Sequence, residues 1–170
     1  MERNELPKRK PIRLNNFHYG AGYAYFITVC TKDRAKILSK ITVGDGALDV
    51  PKTELTKCGE IVEKYILSTN KINNVCVDRY VIMPNHFHMI IRIEGDSNDL
   101  ENGTSRAPSP TNKTIPHIVS TLKRFCNKEI GENIFQRSFY DHVIRGREDY
   151  EEISRYIYEN PLNWKNDELY

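Results

Sequence analysis

Long hydrophobic runs, closely spaced cysteines and a strong excess of charge are all missing from this chain of 170 residues. No segment approaches the roughly 20 consecutive apolar residues of a membrane-spanning helix, and the N-terminus lacks the apolar stretch of a secretory signal. The four cysteines lie far apart and form no C-x-x-C pair, so small buried side chains are favoured over a zinc site or disulfides. These absences predict a cytoplasmic protein with no membrane partner.

The balance of charge is close to even, with 25 lysine and arginine residues against 23 aspartate and glutamate residues and a formal net charge of +2. The chain as a whole is therefore not a basic polyanion binder, but local clusters of basic residues suit contacts with phosphate. The alternative is an ordinary solvated surface of mixed charge. The candidate phosphate contacts, before the first predicted strand and in the C-terminal third, are Lys8, Arg9, Lys10, Arg13, Arg137 and Arg155.

Length and the pattern of apolar residues predict one globular domain over residues 1–170. Runs of β-branched and aromatic residues predict strands, and apolar residues at helical spacing predict helices. The predicted strands cover 22–31, 75–83, 86–93 and 134–145, and the predicted helices cover 53–69, Ile115–Cys126 and 149–160. The order β-α-β-β-α-β-α is typical of an α+β fold with a ferredoxin-like antiparallel sheet and helices packed on one face.

The segments between these elements have turn or loop composition. Pro84-Asn85 predicts the turn of a hairpin, and residues 40–51 predict a turn-rich connection. Residues 95–114 are almost free of large apolar side chains and predict a long flexible loop. Asp149 is the predicted cap of the last helix, whose buried stripe we expect to consist of Tyr150, Ile153 and Ile157.

The motif His86-Phe87-His88 lies in a predicted strand. Successive strand side chains point to opposite faces, so the two histidines share one face and Phe87 takes the other. Two neighbouring imidazoles can hold one divalent metal ion and leave positions open for substrate oxygens. Taken alone, however, an H-x-H motif in a strand more often consists of two polar residues on a solvated face.

The last predicted helix carries a second cluster. Tyr156 and Asn160 are four residues apart and share one helix face, whereas Tyr158 points roughly the opposite way. The Asn160 carboxamide is a candidate third metal ligand, and the Tyr156 phenol is a candidate nucleophile. The alternative is that Tyr156 packs in the core and Asn160 only ends the helix before Pro161.

Three spaced motifs together resemble the HUH-type single-tyrosine transposases, and in particular the REP-associated tyrosine transposases. The motifs are Met83-Pro-Asn-His-Phe-His88, Gln136-Arg-Ser-Phe-Tyr-Asp-His-Val-Ile-Arg145 and Tyr156-Ile-Tyr-Glu-Asn-Pro161. The resemblance runs in order from about residue 22 to residue 164. It implies a ferredoxin-like fold with a C-terminal helix that carries the tyrosine, in agreement with the element order above.

Carried over position by position, the resemblance implies that His86 and His88 bind Mg²⁺ or Mn²⁺ and that Tyr156 is the nucleophile. Asn160 occupies the place where relatives often have a glutamine as third ligand, and it is one methylene shorter. The implied substrate is single-stranded DNA beside a hairpin, which Tyr156 cleaves and rejoins through a 5′-phosphotyrosine. The basic residues above would contact its phosphates. Relatives include both dimers and monomers, so both states stay open here.

Two other classes of function also fit the sequence. A non-catalytic nucleic-acid-binding module would stack bases on strand aromatics such as Tyr23, Tyr25 and Phe26 and need no metal. A metal-dependent hydrolase would need a carboxylate ligand near the two histidines, for which Asp78 is the candidate. The nearest rivals to the proposed nucleophile are Tyr150 and Tyr158. His142 is expected to have a structural or DNA-positioning role, and His18 and His117 no catalytic role.

Overall fold

The computed structural model describes residues 23–42, 51–93, 114–166 and 169. Within them, the strands are β1 (Tyr23–Cys30), β2 (Ser39–Thr42), β3 (Lys52–Leu55), β4 (Val75–Ile82), β5 (His86–Ile93) and β6 (Tyr140–Ile144). The helices are α1 (Lys57–Ser68), α2 (Thr114–Ile130) and α3 (Arg147–Glu159). No helix in this part of the chain is long and apolar enough to cross a membrane. The predicted loop, except for Thr114 at the start of α2, lies outside the described residues.

Four strands form one antiparallel sheet in the order β4-β5-β1-β6. β5 pairs with β1 along its whole length, from Tyr23 opposite Ile93 to Cys30 opposite His86. β4 and β5 form the predicted hairpin, which turns at Pro84-Asn85 where Met83 N–H donates to the carbonyl of His86 at 2.8 Å. The predicted α+β class with a ferredoxin-like antiparallel sheet is therefore confirmed.

The two faces of this sheet carry different helices. α1 and α2 cover the face formed by alternate residues of β1 and β5, and they bury Tyr25, Ile27, Phe87 and Met89 in the main core. Each such side chain contributes about 1.5–3 kcal/mol when it leaves water. α3 packs on the opposite face, where Ile157 joins a smaller cluster with Phe26, Ile90 and Ile144. The alternation of strand residues thus separates the main core from the face that carries the histidines.

The predicted start of the first helix, at residue 53, is wrong. Residues Lys52–Leu55 form β3, which pairs with β2 in a separate two-stranded sheet. α1 begins after Thr56, whose side chain accepts a hydrogen bond from Gly59 N–H at 3.2 Å. A Cβ at Gly59 would lie 2.0 Å from the carbonyl oxygen of Leu38, so only glycine permits this close approach of α1 to the backbone at Leu38.

Three predictions near the C-terminus need correction. β6 is limited to Tyr140–Ile144, and Phe135 forms only an isolated bridge with Thr31. α3 begins after Gly146, so Asp149 lies in the first turn instead of capping the helix. Its carboxylate accepts a hydrogen bond from Arg145 N–H at 3.0 Å. An aspartate that binds a backbone N–H near the start of a helix has the chemistry of a capping residue, so the sequence signal falls on Asp149 although the helix begins earlier. In the predicted buried stripe only Ile157 is fully buried, while Tyr150 and Ile153 are half-buried.

None of the four cysteines forms a disulfide. Cys126 is buried in the main core, as expected of a small apolar side chain. Burial raises the pKa of its thiol to about 12. Cys30, Cys58 and Cys76 are only half-buried, so the expectation of burial holds in full for one of the four.

Candidate active site

The side chains of His86 and His88 lie together on the α3 face of the sheet, and both are buried. Their ring centroids are 4.6 Å apart. Phe87 between them points the other way into the main core, where its ring meets Phe135. The predicted sharing of one face is confirmed, and the alternative of two histidines on a solvated surface is excluded by their burial.

A hydrogen bond holds the Nδ1 atom of each imidazole. Nδ1 of His88 lies 2.8 Å from the hydroxyl of Thr28 on the paired strand. Nδ1 of His86 lies 2.8 Å from Oδ1 of Asn85, and the Asn85 amide in turn donates to the carbonyl of Leu169 at 2.6 Å. Since a carboxamide oxygen only accepts, Nδ1 of His86 carries a hydrogen, and in the neutral ring Nε2 carries the lone pair that a metal ion needs.

The protonation state of His88 also suits a metal ligand. Burial, and after it the proximity of His86, holds the pKa of His88 well below its usual value. The imidazole is therefore neutral at pH 7, which is the form that binds metal ions. A protonated pair at this spacing would place two positive charges side by side inside the protein.

The side chain of Tyr156, on α3, lies beside the imidazole of His88. Its hydroxyl lies 3.4 Å from Nε2 of His88, and the two ring centroids are 5.2 Å apart. Phe26 fixes both rings, since it stacks on His88 at 5.1 Å and meets Tyr156 edge-on at 6.0 Å. The Tyr156 residue remains 44% exposed. The alternative in which Tyr156 packs in the core is therefore wrong, because its phenol stands at the boundary between the histidines and solvent.

The rival tyrosines are placed differently. The Tyr150 hydroxyl donates a hydrogen bond to Oδ2 of Asp78, and Oδ1 of the same carboxylate lies 3.5 Å from Arg92. Tyr158 is 73% exposed and lines a cavity of about 390 Å³ between α3 and β4. Neither phenol has the contact with His88 that Tyr156 makes.

The donor atoms at this site determine whether a divalent metal ion fits it. Among residues 23–42, 51–93, 114–166 and 169, no three side chains of the types His, Cys, Asp or Glu gather as a metal site. Two imidazoles are present, and Asn160, which follows α3 directly, is buried and carries a carboxamide oxygen. Two nitrogen donors and one oxygen donor fit Mg²⁺ or Mn²⁺ if substrate and water supply the remaining oxygens. Ligation by Asn160 stays a prediction.

The first turn of α3 is tied to β6. Nε2 of His142 lies 3.0 Å from Oδ2 of Asp149, which also accepts from Arg145 N–H. Burial acts to raise the pKa of Asp149, but the hydrogen bonds from Arg145 and His142 outweigh it and lower the pKa. This contact supports the predicted structural role of His142, because it ties β6 to the first turn of the helix that carries Tyr156.

Two of the six predicted phosphate contacts lie within the described residues. Arg137 lines a cavity of about 340 Å³ together with Lys123 and Arg124. Arg155 is exposed on α3 directly before Tyr156. The four remaining candidates, Lys8, Arg9, Lys10 and Arg13, lie outside the described residues. Neither Thr28 nor Asn85 was among the predicted site residues, although Asn85 stands directly before His86 in the motif Met83–His88.

Comparison with known proteins gives one relative and one fold. No protein-family model matches the chain. An uncharacterized protein of Haemophilus influenzae is 32% identical over 174 residues, which cover 95% of this chain and 93% of that protein. Among solved structures, the chain is similar to a REP-associated tyrosine transposase bound to a REP hairpin, with 22% identity, 89% of this chain and 74% of that chain covered, and a TM-score of 0.58.

Proposed function

We propose that this chain, which belongs to the family of the Haemophilus influenzae protein and has the fold of a REP-associated tyrosine transposase, is itself an HUH-type transposase. Its substrate in this proposal is single-stranded DNA beside a hairpin, and its cofactor is Mg²⁺ or Mn²⁺. The observation that carries the proposal is the 3.4 Å separation between the Tyr156 hydroxyl and Nε2 of His88. A candidate nucleophile that solvent reaches then lies beside a buried pair of imidazoles that we propose as metal ligands.

The reaction is a transfer of a phosphoryl group to tyrosine. The Tyr156 oxygen attacks phosphorus and forms a new P–O bond while the bond from phosphorus to the 3′-oxygen breaks. The phenol proton goes to solvent and the leaving 3′-oxygen takes up a proton, which yields a 5′-phosphotyrosine and a free 3′-OH. Because one phosphodiester replaces another, a later 3′-OH can attack the phosphotyrosine and rejoin the strand without ATP.

The chain's own residues prepare this step. Asn85 and Thr28 hold the two imidazoles through Nδ1, which turns the Nε2 edge of His88 toward Tyr156. Such an ion supplies Lewis-acid stabilisation of the charge that develops on the phosphate. Phe26 holds the Tyr156 ring at the edge of the site, where the phenol can lose its proton to water. An ordinary phenol has a pKa of about 10, so this loss needs assistance at neutral pH.

The two other functions have less support. Tyr25 is buried in the main core and Phe26 packs against His88 and Tyr156, so these strand aromatics are not presented for base stacking. Asp78, the carboxylate that a hydrolase would need as ligand, is engaged by Tyr150 and Arg92.

The test is covalent trapping. A labelled single-stranded oligonucleotide that carries a hairpin and flanking sequence from the chain's own genomic neighbourhood is incubated with the protein and Mn²⁺. We expect a protein–DNA adduct that survives denaturation, requires the metal ion and is absent from Tyr156→Phe. A non-catalytic module gives no adduct, and a hydrolase gives cleaved DNA without an adduct.

A further inference from the structure

A second feature lies beside the candidate active site. A cavity of about 650 Å³ runs between β2, the Pro84 turn and the segment that follows α3. We call it the Trp164 groove and define it by Lys36, Lys40, Pro84, Leu162, Trp164 and Lys165, which all line it. The sequence motifs include none of its lysines, which come from two distant parts of the chain.

The groove adjoins the histidine pair through Trp164 and Pro84. The Trp164 ring is buried and its centroid lies 6.0 Å from that of His86. Pro84 belongs to the turn directly before His86, and its carbonyl accepts a hydrogen bond from Leu38 N–H at 2.9 Å. A molecule that fills the groove therefore contacts Trp164 and Pro84, the two lining residues that adjoin the imidazole that we propose as a metal ligand.

The charge of the groove has one sign. Lys36, Lys40 and Lys165 are exposed along it, and none of the described residues that line it is acidic. The ammonium group of Lys36 stands over the Trp164 ring at 5.4 Å from its centroid. A groove with three cations and no described anion fits a polyanion such as a nucleic-acid backbone.

The floor of the groove is apolar. Leu162 is 48% exposed and lines the groove together with Trp164 and the three prolines Pro51, Pro84 and Pro161. A polyanion with no apolar part would leave this surface in water. Unpaired nucleotides would cover it, since each base offers a flat apolar face while its phosphate stays with the lysines.

We propose that the Trp164 groove binds the single-stranded DNA that flanks the scissile phosphate. In this arrangement Lys40 and Lys165 contact successive phosphates, and an unpaired base rests on Leu162 and the edge of Trp164. The inference rests on the proposed function for the identity of the strand. It adds the path by which that strand reaches Tyr156 and His86.

The test uses the only tryptophan in the chain as its reporter. Single-stranded oligothymidylate of about 12 nucleotides, a length within the usual range of single-strand sites, is titrated into metal-free Tyr156→Phe protein. We expect saturable quenching of Trp164 fluorescence. Unchanged fluorescence at saturating DNA, or equal quenching by a duplex of the same length, would overturn the proposal.

Matched charge variants then locate the binding. The double variant Lys40→Glu/Lys165→Glu leaves Lys36 on the Trp164 ring, and we expect it to weaken binding by about tenfold or more and to lower the salt slope by about 1.4. The control Lys71→Glu/Lys128→Glu changes net charge equally but alters exposed residues after α1 and on α2. Equal affinities of the two variants would contradict the inference, with folding of both checked by circular dichroism.

The outcomes of this test are separable from those of the trapping assay. If the adduct forms but the two double variants bind alike, the transposase proposal stands and the groove is not the path of the strand. If no adduct forms but only the groove variant loses binding, the groove binds single strands and the transposase proposal fails.

Discussion

The hydroxyl of Tyr156 lies 3.4 Å from Nε2 of His88, although the two residues are 68 positions apart in the chain. The distance depends on the position of α3 on the sheet. Ile157 packs that helix on Phe26 and Ile90, and the Tyr150 and Asp149 contacts hold its N-terminal half. The site can therefore be tested by variants of the two histidines, of the residue that holds Nδ1 of His88, and of the tyrosines on α3.

The first prediction concerns the metal ion. The double variant His86→Ala/His88→Ala should lose Mn²⁺ binding, because both proposed nitrogen ligands are removed. Titration calorimetry at pH 7.5 measures the effect, and His117→Ala is the control, since His117 is exposed at the start of α2. Equal Mn²⁺ affinity in the double variant and the wild type would place the metal elsewhere.

The second prediction concerns Thr28, whose hydroxyl holds the imidazole of His88. Thr28→Val keeps the shape of the side chain but removes the hydroxyl that lies 2.8 Å from Nδ1 of His88. Loss of such an outer contact typically costs 10–100-fold in metal affinity, so we expect a fall of at least about tenfold. Thr53→Val on β3 is the matched control. An unchanged affinity in Thr28→Val would mean that packing by Phe26 alone orients the imidazole.

The two histidines show which features of the site could be predicted from the sequence. The alternation of β5 was enough to predict that His86 and His88 share a face and that Phe87 enters the core. The partner of His88 was not predictable, because Thr28 lies 60 residues away and meets it only through the register of β1 with β5. Asn85 stood beside the motif, but its turn chemistry concealed its contact with His86.

Other elements were missed for similar reasons. Leu55 continues the apolar spacing of α1, and this spacing concealed the short β2–β3 hairpin that ends at that residue. Lys36, Lys40 and Lys165 carry no local signal at all, since their shared groove exists only after β2 and the end of the chain have folded together. Local periodicity therefore predicts elements and faces, whereas contacts between distant segments need the structure.

The third prediction compares the contributions of the Tyr150 and Tyr158 hydroxyls to the free energy of unfolding. Tyr150→Phe removes the hydrogen bond to Asp78 and should lower the free energy of unfolding by about 1 kcal/mol. Tyr158→Phe removes an exposed hydroxyl and should change it by less than about 0.5 kcal/mol. Both variants should keep substantial cleavage activity. Urea unfolding followed by Trp164 fluorescence gives the comparison, and equal stabilities would show that the Tyr150 contact does not anchor α3.

The fourth prediction concerns Lys123, whose ammonium group donates to the carbonyls of Gln136 and Ser138 at 2.9 and 2.8 Å. Burial lowers its pKa from 10.5 to about 8. The unfolded chain therefore binds more protons at this residue between pH 8 and 10.5, so its contribution to stability rises with pH across that window. The free energy of unfolding of wild type minus that of Lys123→Met should increase from pH 7.5 to pH 10. A decrease would mean that the two carbonyls hold the ammonium form.

The central claim is that Tyr156 carries the cleaved strand, and mapping the trapped adduct tests it most directly. The wild-type adduct formed with Mn²⁺ is digested with nuclease and protease, and mass spectrometry identifies the peptide that retains a nucleotide. We expect a 5′-linked nucleotide on Tyr156 and none on Tyr140, Tyr150 or Tyr158. A nucleotide on any of those three tyrosines, or an adduct that persists in Tyr156→Phe, would contradict the account.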